Sequence, residues 1–118
     1  MLHTLSLYAL GAMFIAAGVG HFVKPAFFEA IVPPYLPAPR LLVYASGIAE
    51  IAGGMGVLLP EWRTLAGWGL IALLVVFFLP HIYMARHPEQ FERIPVWALY
   101  LRLAMQFVLI AWVYWTAC

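Results

Sequence analysis

Four long apolar stretches alternate with short polar ones along the chain. Leu5 to Val23, Leu41 to Leu59, Leu65 to Ala85 and Val96 to Thr116 are nearly continuous hydrophobic sequence. Each is long enough to cross about 30 Å of hydrocarbon at a rise of about 1.5 Å per residue. The pattern predicts an all-α membrane protein, an antiparallel four-transmembrane-helix bundle in a single domain. The spans fall at about residues 4–23, 41–59, 64–85 and 96–116. Within the first, Ala16 and Gly20 form a small-xxx-small pair suited to tight helix contact. In the third, Pro80 removes the bond to the Val76 carbonyl and predicts a kink.

The connection from Lys24 to Pro39 breaks this pattern. Pro25 suits the first position of a short helix, and Phe27, Phe28, Ile31 and Val32 give that helix an apolar side. Pro33, Pro34, Pro37 and Pro39 then forbid regular helix. The reading is a Pro-rich interfacial or re-entrant segment between helices 1 and 2, capping the bundle where the first helix ends. Pro60 to Arg63 is a tight connection with an interfacial tryptophan, and Arg86 to Pro95 is a polar loop. Trp112, Tyr114 and Trp115 form an aromatic belt at the end of the fourth span.

Composition supports the membrane reading. The 118 residues are 66% hydrophobic and only 9% charged, against about 25% charged in a soluble domain. The formal charge of +1 and the lack of a basic cluster argue against nucleic acid as a partner. No basic stretch precedes the first apolar run, so it reads as a retained helix and not a cleaved signal. Lys24, Arg40, Arg86 and Arg93 lie in the first and third loops, with Arg63 alone opposite. The positive-inside rule then puts both termini on the non-cytoplasmic side of a bacterial-type inner membrane.

Against this background the polar residues inside the spans stand out. Glu50 sits mid-span, about 15 Å past Arg40, with Ser46, Gly47, Gly53 and Gly54 on its own helix face. Arg102 is about 10 Å deep, Gln106 is one turn further on the same face, and His81 is about 7 Å deep. His21 lies in the last turn of the first span. Every helix therefore offers a polar group in the same half of the bilayer. A carboxylate in hydrocarbon costs several kcal/mol unless neutralised, paired or hydrated. Arg102 is the expected counter-ion of Glu50, with Gln106 holding the pair in register. Two roles stay open: interhelical pairing, or a ligand-binding or proton-handling site built from Glu50, Arg102, His21, His81 and Gln106. His81 could satisfy carbonyls freed by the kink, and His3 and His87 read as solvated surface groups. The bare face of Glu50 is either filled by the fourth helix or left open for a ligand.

Several chemistries are set aside. The lone Cys118 excludes an internal disulfide, a Cys-based metal site and a CxxC redox centre. HExxH, P-loop and GxGxxG motifs are missing, and spacing gives no support to a metal site. No catalytic motif is self-sufficient.

The chain resembles the DoxX-like family of small membrane proteins. The resemblance rests on Gly20-His21-Phe22 with Pro25 and Phe28, Ile31 to Pro37, Ser46 to Gly54, and Arg102 to Gln106. It spans essentially the whole chain. The family usually has asparagine near the position after the third-helix proline, where this chain has His81. The resemblance implies a four-helix inner-membrane protein whose relatives include subunits of quinone-reducing complexes and assembly factors. The functional expectation is a quinone- or lipid-interacting accessory subunit of a redox system. Quinone is then the one cofactor to test, with a redox protein partner or a homo-oligomer to supply what one chain lacks. The alternative is a non-catalytic scaffold or assembly chaperone whose polar network is structural.

Overall fold

The computed structural model describes residues 1–118. Four helices are long and apolar enough to cross a membrane: Leu2–Val23, Pro39–Leu58, Arg63–Arg86 and Val96–Ala117. The protein is an all-α, multi-pass membrane bundle. We label its helices α1 (Leu2–Val23), α2 (Pro25–Glu29), α3 (Pro39–Leu58), α4 (Arg63–Val76), α5 (Phe78–Arg86) and α6 (Val96–Ala117). α4 and α5 are the two halves of the third span. α1 packs on α3, α3 on α4, and α4 and α5 on α6, so α3 and α6 lie diagonally across the bundle. Tyr8, Ile48, Trp68 and Phe107 are more than half exposed on the outer surface, as expected where lipid is the solvent.

Glycine registers α1 against α3. Gly11 and Gly18 are seven residues apart on α1, as are Gly47 and Gly54 on α3. The antiparallel helices pair Gly11 with Gly54 and Gly18 with Gly47. A methyl added at Gly18 would sit 2.6 Å from the Gly47 carbonyl oxygen, and one at Gly54 would sit 2.8 Å from that of Gly11. Backbones approach this closely only where side chains are lacking. The Ala16–Gly20 pair is not the contact: Ala16 is exposed, and the nearest atom to a methyl on Gly20 would be a Phe28 ring carbon at 3.9 Å. Both residues lie on a different face of α1 from the Gly11–Gly18 stripe.

At the end holding both termini, α1 and α6 are pinned by side chains. Ser6 and Thr116 hydroxyls lie 2.7 Å apart, and Trp112 Nε1 donates to Ser6 Oγ at 2.8 Å. His3 Nε2 donates to the Thr116 carbonyl at 2.7 Å. Trp112 and His3 thus also fasten the two helix ends together, His3 from an exposed position. The apolar core lies in this half, around Leu10, Phe14, Val57, Leu70, Leu74 and Val113.

The third span breaks at Phe77, between α4 and α5, and runs on through Pro80 and His81. The break precedes the proline by three residues, because the missing Pro80 N–H frees the turn before it.

The segment between α1 and α3 forms the cap that the prolines predict. Pro25 occupies the first turn of α2. Ala38, between two prolines, takes a left-handed φ of 48° as the chain turns into α3. Arg40 grips Glu29 bidentately, Nε to Oε1 at 2.7 Å and Nη2 to Oε2 at 2.9 Å. The guanidinium hydrogen bonds hold the Glu29 carboxyl below its ordinary value of 4.5. A lowered folded pKa contributes stability above the unfolded value and loses it as pH falls through the folded one. Hydrogen exchange of residues 30–38 should therefore be slower in the wild type than in Arg40→Ala at neutral pH. The difference should vanish as pH falls below the ordinary carboxylate range. A difference that persists in acid would separate the clasp from Glu29 ionisation.

Candidate ligand site

In the other half of the bundle, from which the apolar core is missing, lies a cavity of about 620 Å³. Phe14 and Leu74 belong to both core and cavity wall, so they form its floor. Ile31, Val32, Pro33 and Leu36 of the cap line it from the opposite side. Apolar clefts of about 300–1,000 Å³ with a few convergent polar groups are the usual form of small-molecule sites.

Glu50 stands on its wall, 3% exposed. The glycines flanking it on α3 are used by neighbours: Gly47 and Gly54 by α1, Gly53 by Leu70 of α4. Ser46 and Ala49, on the remaining side, line the cavity. Ser46 Oγ donates to the Val43 carbonyl at 2.9 Å, within its own helix. The first and third spans thus cover the glycine sides of Glu50, its remaining side opens to the cavity, and the fourth span does not fill it.

Of the five side chains that the sequence singles out, Glu50, His21, His81 and Arg102 all line this one cavity. Gln106 does not. It is fully buried behind Arg102, accepts from Arg102 Nη1 at 2.9 Å, and donates to the Leu74 carbonyl at 2.7 Å. Leu74 lies in the last turn before the break at Phe77, so Gln106 ties α6 to the kink. The expected Glu50–Arg102 ion pair is not formed. α6 is diagonal to α3, and the guanidinium turns along its own helix to Gln106.

His21 is the cation-forming group nearest to Glu50, with Nδ1 3.7 Å from Oε2. The same Nδ1 lies 2.7 Å from the Ala17 carbonyl. Only a donor can face a carbonyl, so Nδ1 carries the proton and gives it to Ala17, not to Glu50. Glu50 Oε2 has no hydrogen-bond partner in the protein, and neither does His81 Nδ1. The role expected of His81, satisfying freed carbonyls, is not the one it plays. Two buried polar atoms in one cavity thus await a partner, a condition that native interiors rarely leave unmet.

Two residues that the sequence reading missed complete the site. Phe28 of α2 stacks on His21, centroids 4.0 Å apart and planes 16° apart, and Phe77 lies on a near-parallel plane at 6.4 Å. Both line the cavity. The signals were present: Pro25 starts a helix that turns Phe28 back onto α1, and Phe77 stands at the break that Pro80 demands. His87, expected to be solvated, donates from Nδ1 to the Tyr83 carbonyl at 3.0 Å. With Tyr35, Tyr83 and Arg86 it lines a separate, smaller cavity of about 200 Å³.

A family model described as a domain of unknown function (DUF8561) matches residues 10–117. The chain belongs to this family. The match takes in the four polar cavity residues and Gln106, so the DUF8561 domain contains the whole site. No curated protein and no solved structure matches the chain.

Proposed function

We propose that this DUF8561 protein is a quinone- or lipid-binding accessory subunit of a redox system, of the DoxX-like kind. The observation that carries the reading is the apolar cavity whose polar end holds Glu50 Oε2 and His81 Nδ1, both buried and unpartnered. A headgroup would meet Glu50, His21, His81 and Arg102, while its tail would lie along the apolar walls. Glu50 or a histidine is placed to exchange a proton with such a headgroup. No side chain here carries electrons, so a partner protein would supply them. We place the chain in a bacterial-type inner membrane with both termini outside, because four of the five loop cations lie at the other end.

One observation favours a scaffold reading for part of the network. The run from Arg102 through Gln106 to Leu74 joins α6 to α4 and needs no ligand. Titration separates the two. Purified protein in nanodiscs should bind a short-chain benzoquinone couple saturably, or failing that a monoacylglycerol. Ala49→Phe, which puts a ring into the cavity, should abolish the binding, and Arg102→Ala should weaken it. Binding that is unchanged in both variants would place the ligand elsewhere and sink the proposal.

A further inference from the structure

The cavity is closed at its two ends and open at its side. The apolar core forms its floor, and the cap covers the opposite end, with Pro33 fully buried. On α3, Ala45, Ala49, Gly53 and Gly56 follow one another at spacings of four, four and three residues, so they form one stripe. The two glycines are packed on α4. A methyl on Gly53 would strike the Leu70 side chain, and one on Gly56 would sit 2.6 Å from Ala66 Cβ. The two alanines continue the stripe toward the cap, yet both are exposed while lining the cavity. The third span changes partners at this level. α4 packs on α3 and α6, and beyond the break at Phe77 α5 packs on α6. Val76 and Leu79, on the two sides of that break, are likewise exposed on the cavity wall. The kink thus leaves a fissure between α3 and the third span. Its banks are Leu42, Ala45 and Ala49 on one side and Val76 and Leu79 on the other, all apolar. Ala45 and Ala49 lie about 7 and 14 Å past Arg40 along the helix, so the fissure opens among acyl chains and not among headgroups.

Resting on the binding reading above, we infer that this fissure is the tail site and the entrance of the cavity. Its ligand is a membrane-dissolved molecule with a compact polar head and a linear apolar chain. The head sits at the inner polar groups, and the chain leaves sideways between Ala45 and Ala49 of α3 and Val76 and Leu79 of the third span. A cavity of about 620 Å³ suits a drug-sized molecule, so a chain as long as a lipid's has to leave it. Once outside, the chain lies in lipid, which is as apolar as a leucine side chain. Inside the fissure, the single-carbon alanine side chains leave the space that α4 fills on Gly53 and Gly56. The orientation follows from where the polar groups stand. Arg102 reaches in from α6, diagonal to α3, so the head points away from the fissure. The gap toward α6 is a poorer exit. Met13 and Ala17 of α1 are exposed on that wall, but α6 contributes Arg102, itself exposed, beside Leu109. A chain leaving there would pass a guanidinium at membrane depth.

The test uses the full chain in nanodiscs and two benzoquinones with the same ring, one carrying a methyl group and the other a decyl chain at the same position. Comparing variant with wild type for each compound cancels the chain's own partitioning into lipid. In Ala45→Phe, the affinity of the decyl compound relative to the methyl compound should fall about tenfold or more, the effect of a misfit in an apolar pocket. If Ala45→Phe does not fold, Val76→Trp obstructs the fissure from its other bank and should lower the same ratio. In the wild type, a decyl compound with a photoreactive diazirine on the chain near the ring should label residues 42–49 and 76–79. An unchanged ratio in the folded variants, or labelling confined to α1 and α6, would overturn the inference and leave the binding reading standing. So would a ratio that falls in Met13→Trp and holds in Ala45→Phe. Saturable binding of neither compound would overturn the quinone reading and this inference together.

Discussion

Gly18→Leu is expected to prevent the bundle from assembling, whereas Gly69→Ala should leave it intact or slightly more stable. The contrast comes from what each glycine faces. A methyl at Gly18 would meet the Gly47 carbonyl oxygen and Ile51 Cγ1, both at 2.6 Å, and Ile51 N at 3.1 Å. Two of those three atoms are backbone, so no rotamer change relieves the clash. α1 and α3 would have to move apart, and Gly11 and Gly54 would lose their contact too. Overpacking of this kind costs about 1–3 kcal/mol for added methylenes in a core, and more where backbone must shift. Even Gly18→Ala should fall within that range. Gly69 has nothing within 4 Å of an added methyl, and alanine is the better helix former by up to about 1 kcal/mol. Gly20→Ala should be tolerated, since its nearest neighbour is a ring carbon at 3.9 Å. Thermal melts of the purified variants in one detergent measure all four. A Gly18→Leu protein that melts like the wild type would show that the Gly18–Gly47 contact does not set the packing.

These glycines also mark the boundary of what was legible in the chain. The four spans could be read because an apolar run of about 20 residues has one reading in a bilayer. The depth of Glu50, His21, His81 and Arg102 could be read because helix rise is constant, and all four reach one cavity. Rotation about the helix axis and the order of neighbours were not readable. Lipid is as apolar as leucine, so no hydropathy stripe tells the inner face from the outer. Ala16–Gly20 and Gly11–Gly18 are equally plausible stripes on α1, and only the partner helix selects the second. In the same way Glu50 and Arg102 share a depth, yet α3 and α6 sit on a diagonal. The stacking of Phe28 on His21 depends on a turn at Lys24. His21 and Phe28 are seven residues apart, so in a continuous helix they would share a face but stand two turns, about 10.5 Å, apart, too far to stack.

Replacing Glu50 by leucine is expected to stabilise the bundle and to abolish ligand binding in the same protein. The sign follows from the missing partners. Arg102 Nη1 is engaged by Gln106 at 2.9 Å, and the His21 Nδ1 proton by the Ala17 carbonyl at 2.7 Å. Glu50 Oε2 therefore has burial without a hydrogen bond. An unpartnered buried polar group costs about 1–3 kcal/mol by mutational measures, and a charged residue at the centre of a span about 2.5–3.5 kcal/mol on insertion scales. Leucine removes that cost and keeps most of the volume against the cavity wall. Glu50→Leu should accordingly raise the melting temperature in detergent, by an amount corresponding to about 1–3 kcal/mol. Residues held in place for function commonly oppose stability in this way. Ligand reverses the order: it should raise the melting temperature of the wild type, as anything that binds only the folded state does, and leave Glu50→Leu unmoved. The scaffold reading demands the opposite sign. If Glu50 were interhelical glue, its removal would lower the melting temperature with or without ligand. A destabilised Glu50→Leu would therefore reject the binding site, and a stabilised one that no longer responds to ligand would reject the scaffold.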